Sequence, residues 1–265
     1  MTMKPMAASD ATLGPWKGVS LVLAATALLA GCAVQPGAPL PTDGVAARSA
    51  QVVRATPVYP RTPQGAAMTF AAVIRSMEPV IESECVQRRR SPINCDFQFV
   101  VDDRPGLEPN AFQTLDPNGR PIIGFTLALI AMAQNADELA FAVGHEASHH
   151  ILNHIDQRTG AATAGAAILS GIVAASGADP ASIRAAQQMG ASVGARYYSR
   201  DWELQADYLG AIVTLNAGYD PVRGAEFFAR IPDPGDRILG THPSRAQRQA
   251  RVAQAVQDVS SGRAR

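Results

Sequence analysis

The sequence predicts a predominantly helical α+β domain with a small β-sheet. Three observations carry the prediction. Apolar residues recur at helical spacing through most of the chain beyond residue 66. Short runs suited to strands occur only between residues 96 and 126. A hydrophobic content of 47% against 17% charged residues, over 265 residues, is enough for one well-formed core. The domain is read as residues 66–265, with residues 1–31 and 32–65 forming two segments ahead of it.

The first of those segments reads as a signal peptide. Lys4 and Lys17 precede an apolar run from Val19 to Ala30, too short to span a bilayer comfortably. It ends in Leu29-Ala30-Gly31-Cys32, which resembles the bacterial lipobox, and this implies lipidation of Cys32 as the mature first residue. Ala33 follows, as in lipoproteins forwarded to the outer membrane. The expected location is therefore the bacterial envelope, lipid-anchored, on the periplasmic face of the outer membrane. The anchor makes the membrane a location and not a substrate. Residues 32–65 carry Pro36, Pro39, Pro41, Pro57, Pro60 and Pro63 and read as an extended tether.

Each element of the domain has a local cause. Phe70, Val73, Ile74, Met77 and Ile81 give residues 66–90 a helical stripe, with Pro79 a point of bending. Residues 96–101 read as a strand, 111–115 as another, and 121–126 as its partner across the turn Asp116-Pro117-Asn118-Gly119. A short helix is expected over 127–133. The next is placed most firmly: Asn135 caps it, Glu138 closes a capping box, and Leu139, Ala142, Val143 and Ile151 carry it to about residue 156. Residues 160–178 are dense in alanine and glycine, and their flanks and mild hydrophobicity predict a tightly packed helix rather than a membrane span. Helices are also expected over 181–209, 221–230 and 244–259. Cys85 and Cys95 are expected to pair in an oxidising compartment, tying the first helix to the following strand.

A formal net charge of zero, with no basic stripe or aromatic-interleaved basic patch, argues against nucleic acid as a partner. The histidines point elsewhere. Four of five fall within residues 144–154, GHEASHHILNH. His145-Glu146-Ala147-Ser148-His149 is an H-E-x-x-H pattern. On a helix its two histidines lie about 40° apart and can reach one ion, while Glu146 sits beside the water that such an ion activates. His150 is about 100° round from His149, and His154 about 140°, so neither shares that face. A third ligand must come from elsewhere. Glu203 is the best candidate, with Asp207 one turn later able to accept the second N–H of a ligating histidine. Alone, two carboxylates at this spacing are also what a solvated helix face carries.

H-E-x-x-H followed by Ser199-Arg200-x-x-Glu203-x-x-Ala206-Asp207-x-x-Gly210 resembles the HtpX-like and CAAX-prenyl-protease zinc metalloendopeptidases, of the gluzincin type, in their periplasmic lipoprotein branch. Asn110-Ala111-Phe112, Ala217-Gly218-Tyr219-Asp220-Pro221 and Thr241-His242-Pro243 with Arg248 extend the similarity over roughly residues 66–258. The resemblance implies a zincin-like fold and one Zn2+ per chain on His145, His149 and Glu203. It implies Glu146 as general base and places His242 near the metal, stabilising the oxyanion or occupying the open position. From the residues alone, His242 serves equally as a turn residue before Pro243. His154 matches a position often histidine in such proteins, and with Asp207 and Arg248 it is expected behind the ligands.

The function so implied is hydrolysis of peptide bonds in misfolded or unassembled envelope proteins. Polypeptide substrates are expected to bind in extended form alongside residues 121–126. The rival expectation is a chaperone-like outer-membrane assembly factor with a resting or structural zinc site, against which the intact Glu146 weighs.

Overall fold

The computed structural model describes residues 62–197, 199–230 and 243–264. The expected signal peptide and tether up to residue 61, with Cys32, and also His242 lie outside the described residues. Helix α1, Pro63–Arg88, begins three residues before the expected start. Thr62 caps it by accepting from Gly65 N–H, and Pro63 occupies the first turn, where a missing donor costs nothing. Its stripe Phe70, Val73, Met77 and Ile81 is buried. Cys85 and Cys95 are bonded, with Cα atoms 5.7 Å apart, so the end of α1 is tied to the loop that enters the sheet.

Three strands follow: β1, Gln98–Asp102; β2, Ala111–Leu115; and β3, Pro121–Thr126. β2 and β3 form the expected hairpin, turning at Gly119, whose φ of +80° suits a residue without Cβ. The sheet order is β1-β3-β2, with β1 parallel to β3. β3 is thus central and buried, and β2 is an edge. Phe112 stands opposite Gly124 and lays its ring where a Cβ would be, 2.2 Å from the nearest ring atom. The short helix α2, Leu127–Met132, is capped by Thr126.

Helix α3, Ala136–Ile151, is the element at the centre of the packing: α1, strands β2 and β3, and the segments Ser199–Asn216 and Pro221–Arg230 all contact it. Leu139, Ala140, Val143 and Ala147 are buried along it. Asn135 caps it as expected, its Oδ1 accepting from Glu138 N–H at 3.1 Å. The capping box closes differently. Glu138 accepts from Gln134 N–H at 2.7 Å, one residue before the cap, and pairs with Arg230 from a distant segment. The helix also stops at Ile151 and not near 156, because Asn153 takes the left-handed conformation at φ +58°. His154 therefore begins a new helix, and an angle counted along a continuous one does not apply to it.

That new helix is α4, His154–Ala175, and it pairs with α5, Pro180–Tyr197, in a long antiparallel hairpin. The expected tight packing exists along one face only. A Cβ on Gly190 would lie 2.1 Å from Gly165 O, and one on Gly194 2.1 Å from Ala161 O. Away from that seam α4 is exposed, so the expectation of a tightly packed helix over 160–178 holds for the side facing α5 and is corrected for the rest. Helix α6, Ser199–Asn216, runs back across α3. The stretch expected as one helix over 181–209 is thus divided between α5 and α6. Helix α7, Pro221–Gly224, continues into a 3-10 turn over Ala225–Arg230. Helix α8, Arg245–Ser260, packs on α6 and opens with a complete capping box between Ser244 and Gln247.

The bond between Cys85 and Cys95 closes a short loop, for which chain entropy gives a stabilisation of about 3 kcal/mol. Urea unfolding of a Cys85→Ser/Cys95→Ser variant is expected to show a loss of that order.

Candidate metal centre

The site is built where α3 and α6 cross, and two glycines set how closely they approach. A Cβ on Gly144 would lie 2.9 Å from Gly210 O, and one on Gly210 2.9 Å from His145 N. Neither position has room for a side chain. The buried hydroxyls beside the crossing turn onto their own helices, Ser148 donating to Gly144 O and Thr214 to Gly210 O, each at 2.7 Å.

With the backbones this close, side chains one and two turns before Gly210 reach the α3 histidines. His145 Nε2 and His149 Nε2 are 3.1 Å apart, and Glu203 lies 3.5 Å from each, by Oε2 to His145 and by Oε1 to His149. Of the described residues, His145, His149 and Glu203 form the cluster that can hold a metal ion, one donor atom from each lying within 4.8 Å of the others.

What lies behind the donors fixes their orientation. His145 Nδ1 is 3.0 Å from Asp207 Oδ1, so its Nδ1–H donates to that carboxylate and Nε2 is turned toward His149 and Glu203. Asp207 is fully buried and is held in turn by Arg248 from α8, whose Nε and Nη2 donate to its two oxygens at 2.8 and 2.6 Å. The Arg248 guanidinium also stacks on Phe228, 3.7 Å from the ring centre. His149 has a different support: its Nδ1 meets His154 Nδ1 at 2.9 Å. The turn at Leu152–Asn153 brings His154 back to that position, and its ring stacks on Trp202. His150 points away and meets Asn94 O at 2.7 Å.

The local electrostatics follow from burial and pairing. Burial works against charge on His145, but its hydrogen bonds to Asp207 and Glu203 outweigh that and push its pKa up to about 10. Burial pushes His149 down to about 3, helped by the charge on His145. Burial likewise brings His154 to about 4, leaving it neutral and able to accept the Nδ1–H of His149. Burial raises Glu146 to about 7, and the neighbouring Glu203 adds to the effect. Asp207 is buried, yet the Arg248 charge holds it below the usual carboxylate range.

The donor set is two imidazole nitrogens and one carboxylate oxygen, both imidazoles presenting Nε2 with Nδ1 held from behind. Such a set suits a zinc ion with one position left open. Beside it lies a cleft of about 320 Å³ whose lining includes His149, Asn153, Gln113 and Leu115. Residues 69–256 match the model of peptidase family M48. The chain belongs to that family. It is accordingly a metallopeptidase, a hydrolase that depends on a bound metal. No protein of curated function matches it.

Of the residues singled out from the sequence, the structure brings His145, His149, Glu203, Asp207, His154 and Arg248 together around one point, with Glu146 next to His145 on α3. His242 and Cys32 lie outside the described residues. Sequence reasoning missed Gly144, Phe228 and Trp202. Gly210 and Trp202 both stand inside the α6 motif, but their packing roles need a partner helix to be seen.

In this M48 chain, Gly210→Ala is expected to push α3 and α6 apart and cost about 1–3 kcal/mol, read from thermal melts. Asp207→Asn removes the carboxylate that orients His145. Competition against a chromophoric chelator is expected to show zinc affinity falling tenfold to a hundredfold, roughly the usual effect of losing such a partner.

Proposed function

We propose that this M48 peptidase is a zinc-dependent endopeptidase of the bacterial envelope, with one Zn2+ on His145, His149 and Glu203. The observation that carries this reading is the convergence of those three donors on the helix that also bears Glu146, beside an open cleft. When bound, zinc supplies a Lewis acid for the scissile carbonyl and makes water more acidic. Glu146 takes the proton from the attacking water and passes it to the leaving amine. Asp207 and His154 hold the two imidazoles in the tautomers that present Nε2. Arg248 compensates the buried charge of Asp207.

The expected docking strand has to be corrected. Residues 121–126 form β3, flanked by β1 on one side and β2 on the other, so neither edge is free. The edge beside the metal centre is β2. Asp116 N–H donates to Arg120 O, and Thr126 N–H to Asn110 O. The antiparallel alternation set by these bonds turns the backbone groups of Ala111, Gln113 and Leu115 outward. Gln113 and Leu115 also line the cleft next to His149. An extended polypeptide adding to this edge is held by its main chain, which suits substrates recognised by being unfolded. Misfolded or unassembled envelope proteins are such substrates. The lipobox-like Leu29-Ala30-Gly31-Cys32 supports a location on the periplasmic face of the outer membrane, through a lipid on Cys32.

Digestion of casein tests the chemistry: a chelator is expected to stop it and added zinc to restore it. Glu146→Gln is expected to lower cleavage by about two to four orders of magnitude with zinc content unchanged. Full activity in that variant sinks the assignment. Gln113→Pro removes one outward N–H without touching the β2–β3 ladder. The expected result is a roughly tenfold fall in kcat/KM with zinc content and Tm unchanged.

A further inference from the structure

The α4–α5 hairpin carries the largest apolar exposure among the described residues. Ile168, Ile172 and Met189 are each more than 60% exposed, and Val193 is 46% exposed. The helix seam shows that these four lie on one side. Gly190 meets Leu169 Cβ as Gly165 meets Gly194 Cα, and Gly165 and Gly190 face each other. These contacts are related by a local two-fold normal to the hairpin plane, which moves each α4 position to the α5 position 25 residues later. It takes Ile168 to Val193 and Ala164 to Met189. Rotation about that normal leaves a side chain on its own side of the plane, so Ile168 and Val193 share a side. Met189 and Ile172 lie one turn from Val193 and Ile168 on the same flank. Thr163, Ser170 and Gln188 stand on the outer faces, turned away from the seam and from that side. The four exposed apolar side chains therefore share one side of the hairpin, with Arg196 one turn after Val193 at its edge, and no charged residue occurs in the 20 positions from Thr159 to Ala178.

We propose that the Ile168–Ile172–Met189–Val193 side of the hairpin docks on the surface of the phospholipid bilayer that carries the lipid anchor, a proposal that rests on the lipoprotein reading of Cys32. Helix α4 is long and apolar enough to cross a membrane, yet its partner helix α5 carries Arg184, Gln187, Gln188 and Arg196, and Asp179 stands at the tip between them. A helix pair of that character lies in the interface instead of spanning it. The chain ahead of the domain supports this occupant. Thirty residues separate Cys32 from Pro63, and a chain of that length spans at most about 100 Å. Helix α4 alone is about 33 Å long. A domain tethered at that distance keeps the hairpin within reach of the bilayer, so that even a weak apolar contact is populated. Both arms run straight into the metal centre, α4 from His154 and α5 toward the helix bearing Glu203. Docking would therefore hold the peptidase site close to the lipid surface.

The test uses the full lipidated chain in vesicles of phosphatidylethanolamine with one quarter phosphatidylglycerol. A nitrobenzoxadiazole label is placed at Ile172→Cys or, on the outer face of α5, at Gln188→Cys, with melting curves confirming that both variants fold. The label at 172 is expected to shift to the blue and to be quenched by bilayer nitroxides at least fivefold more than the label at 188. The label at 188 should remain open to iodide. Equal iodide access at both positions overturns the proposal. So does shielding of the 172 label before vesicles are added, which points to a second copy of the chain, or shielding only when unfolded casein is supplied. Mass spectrometry of the same sample reports acylation of Cys32 separately. An unacylated chain whose 172 label is shielded by vesicles removes the anchor reading and leaves the docking surface standing. An acylated chain with an exposed label does the reverse.

Discussion

The structure depends on the close crossing of α3 and α6 at Gly144 and Gly210. Two backbones in contact put the carboxylates of one helix within hydrogen-bonding distance of the imidazoles of the other. A methyl group at either position would separate the helices by more than the site can absorb, because the donors must converge to within a few ångströms. The crossing accounts for the spacing in the α6 motif. Asp207 lies one turn before the contact and Glu203 two turns before it, so both project along the seam toward α3.

A site assembled this way buries charges that would be costly alone, and the fold answers each with a partner. Asp207, inaccessible to water, has a bidentate Arg248 on one side and His145 on the other. Arg248 comes from α8, which the capping box at Ser244–Gln247 starts at the right residue, and Phe228 stacks on its guanidinium. Two further buried carboxylates on α3 are answered in the same manner: Asp137 pairs with Arg223, and Glu138 with Arg230. The later segments of the chain thus close over α3 by supplying cations to acids on its first turn and behind the metal site. Removing one partner of such a pair leaves a buried charge uncompensated, which costs more than the pair contributes when intact.

The hairpin is the exception to this economy of burial. Its helices pack on each other through glycine and alanine at backbone distance and leave their larger apolar side chains outside. It joins α3 to α6, so the two halves of the metal site are consecutive core helices separated by an excursion to the surface. The 53 residues between His149 and Glu203 are taken up almost wholly by it.

Local signals were legible without coordinates. The amphipathic stripe of α1, the hairpin turn at Gly119, the Asn135 cap and the H-E-x-x-H pattern each depend on residues within one or two turns of each other, where helix and strand periodicity constrain geometry directly. Glu203, with Asp207 one turn later, stood out from its spacing as the best candidate for a third ligand, and the resemblance to the HtpX-like metallopeptidases implied the full ligand set. What the sequence left open involves contact between segments far apart in the chain. The place of β3 at the centre of the sheet follows from its parallel pairing with β1, which no local pattern encodes. The support of His149 by His154 exists because a left-handed Asn153 breaks the helix, and helical angles cannot be counted across a break. The resemblance placed Arg248 behind the ligands, but the close approach of Gly144 and Gly210, and the pairing of Arg248 with Asp207 over the ring of Phe228, were decided by tertiary packing, since a buried charge or an absent side chain acquires meaning only from what lies opposite it.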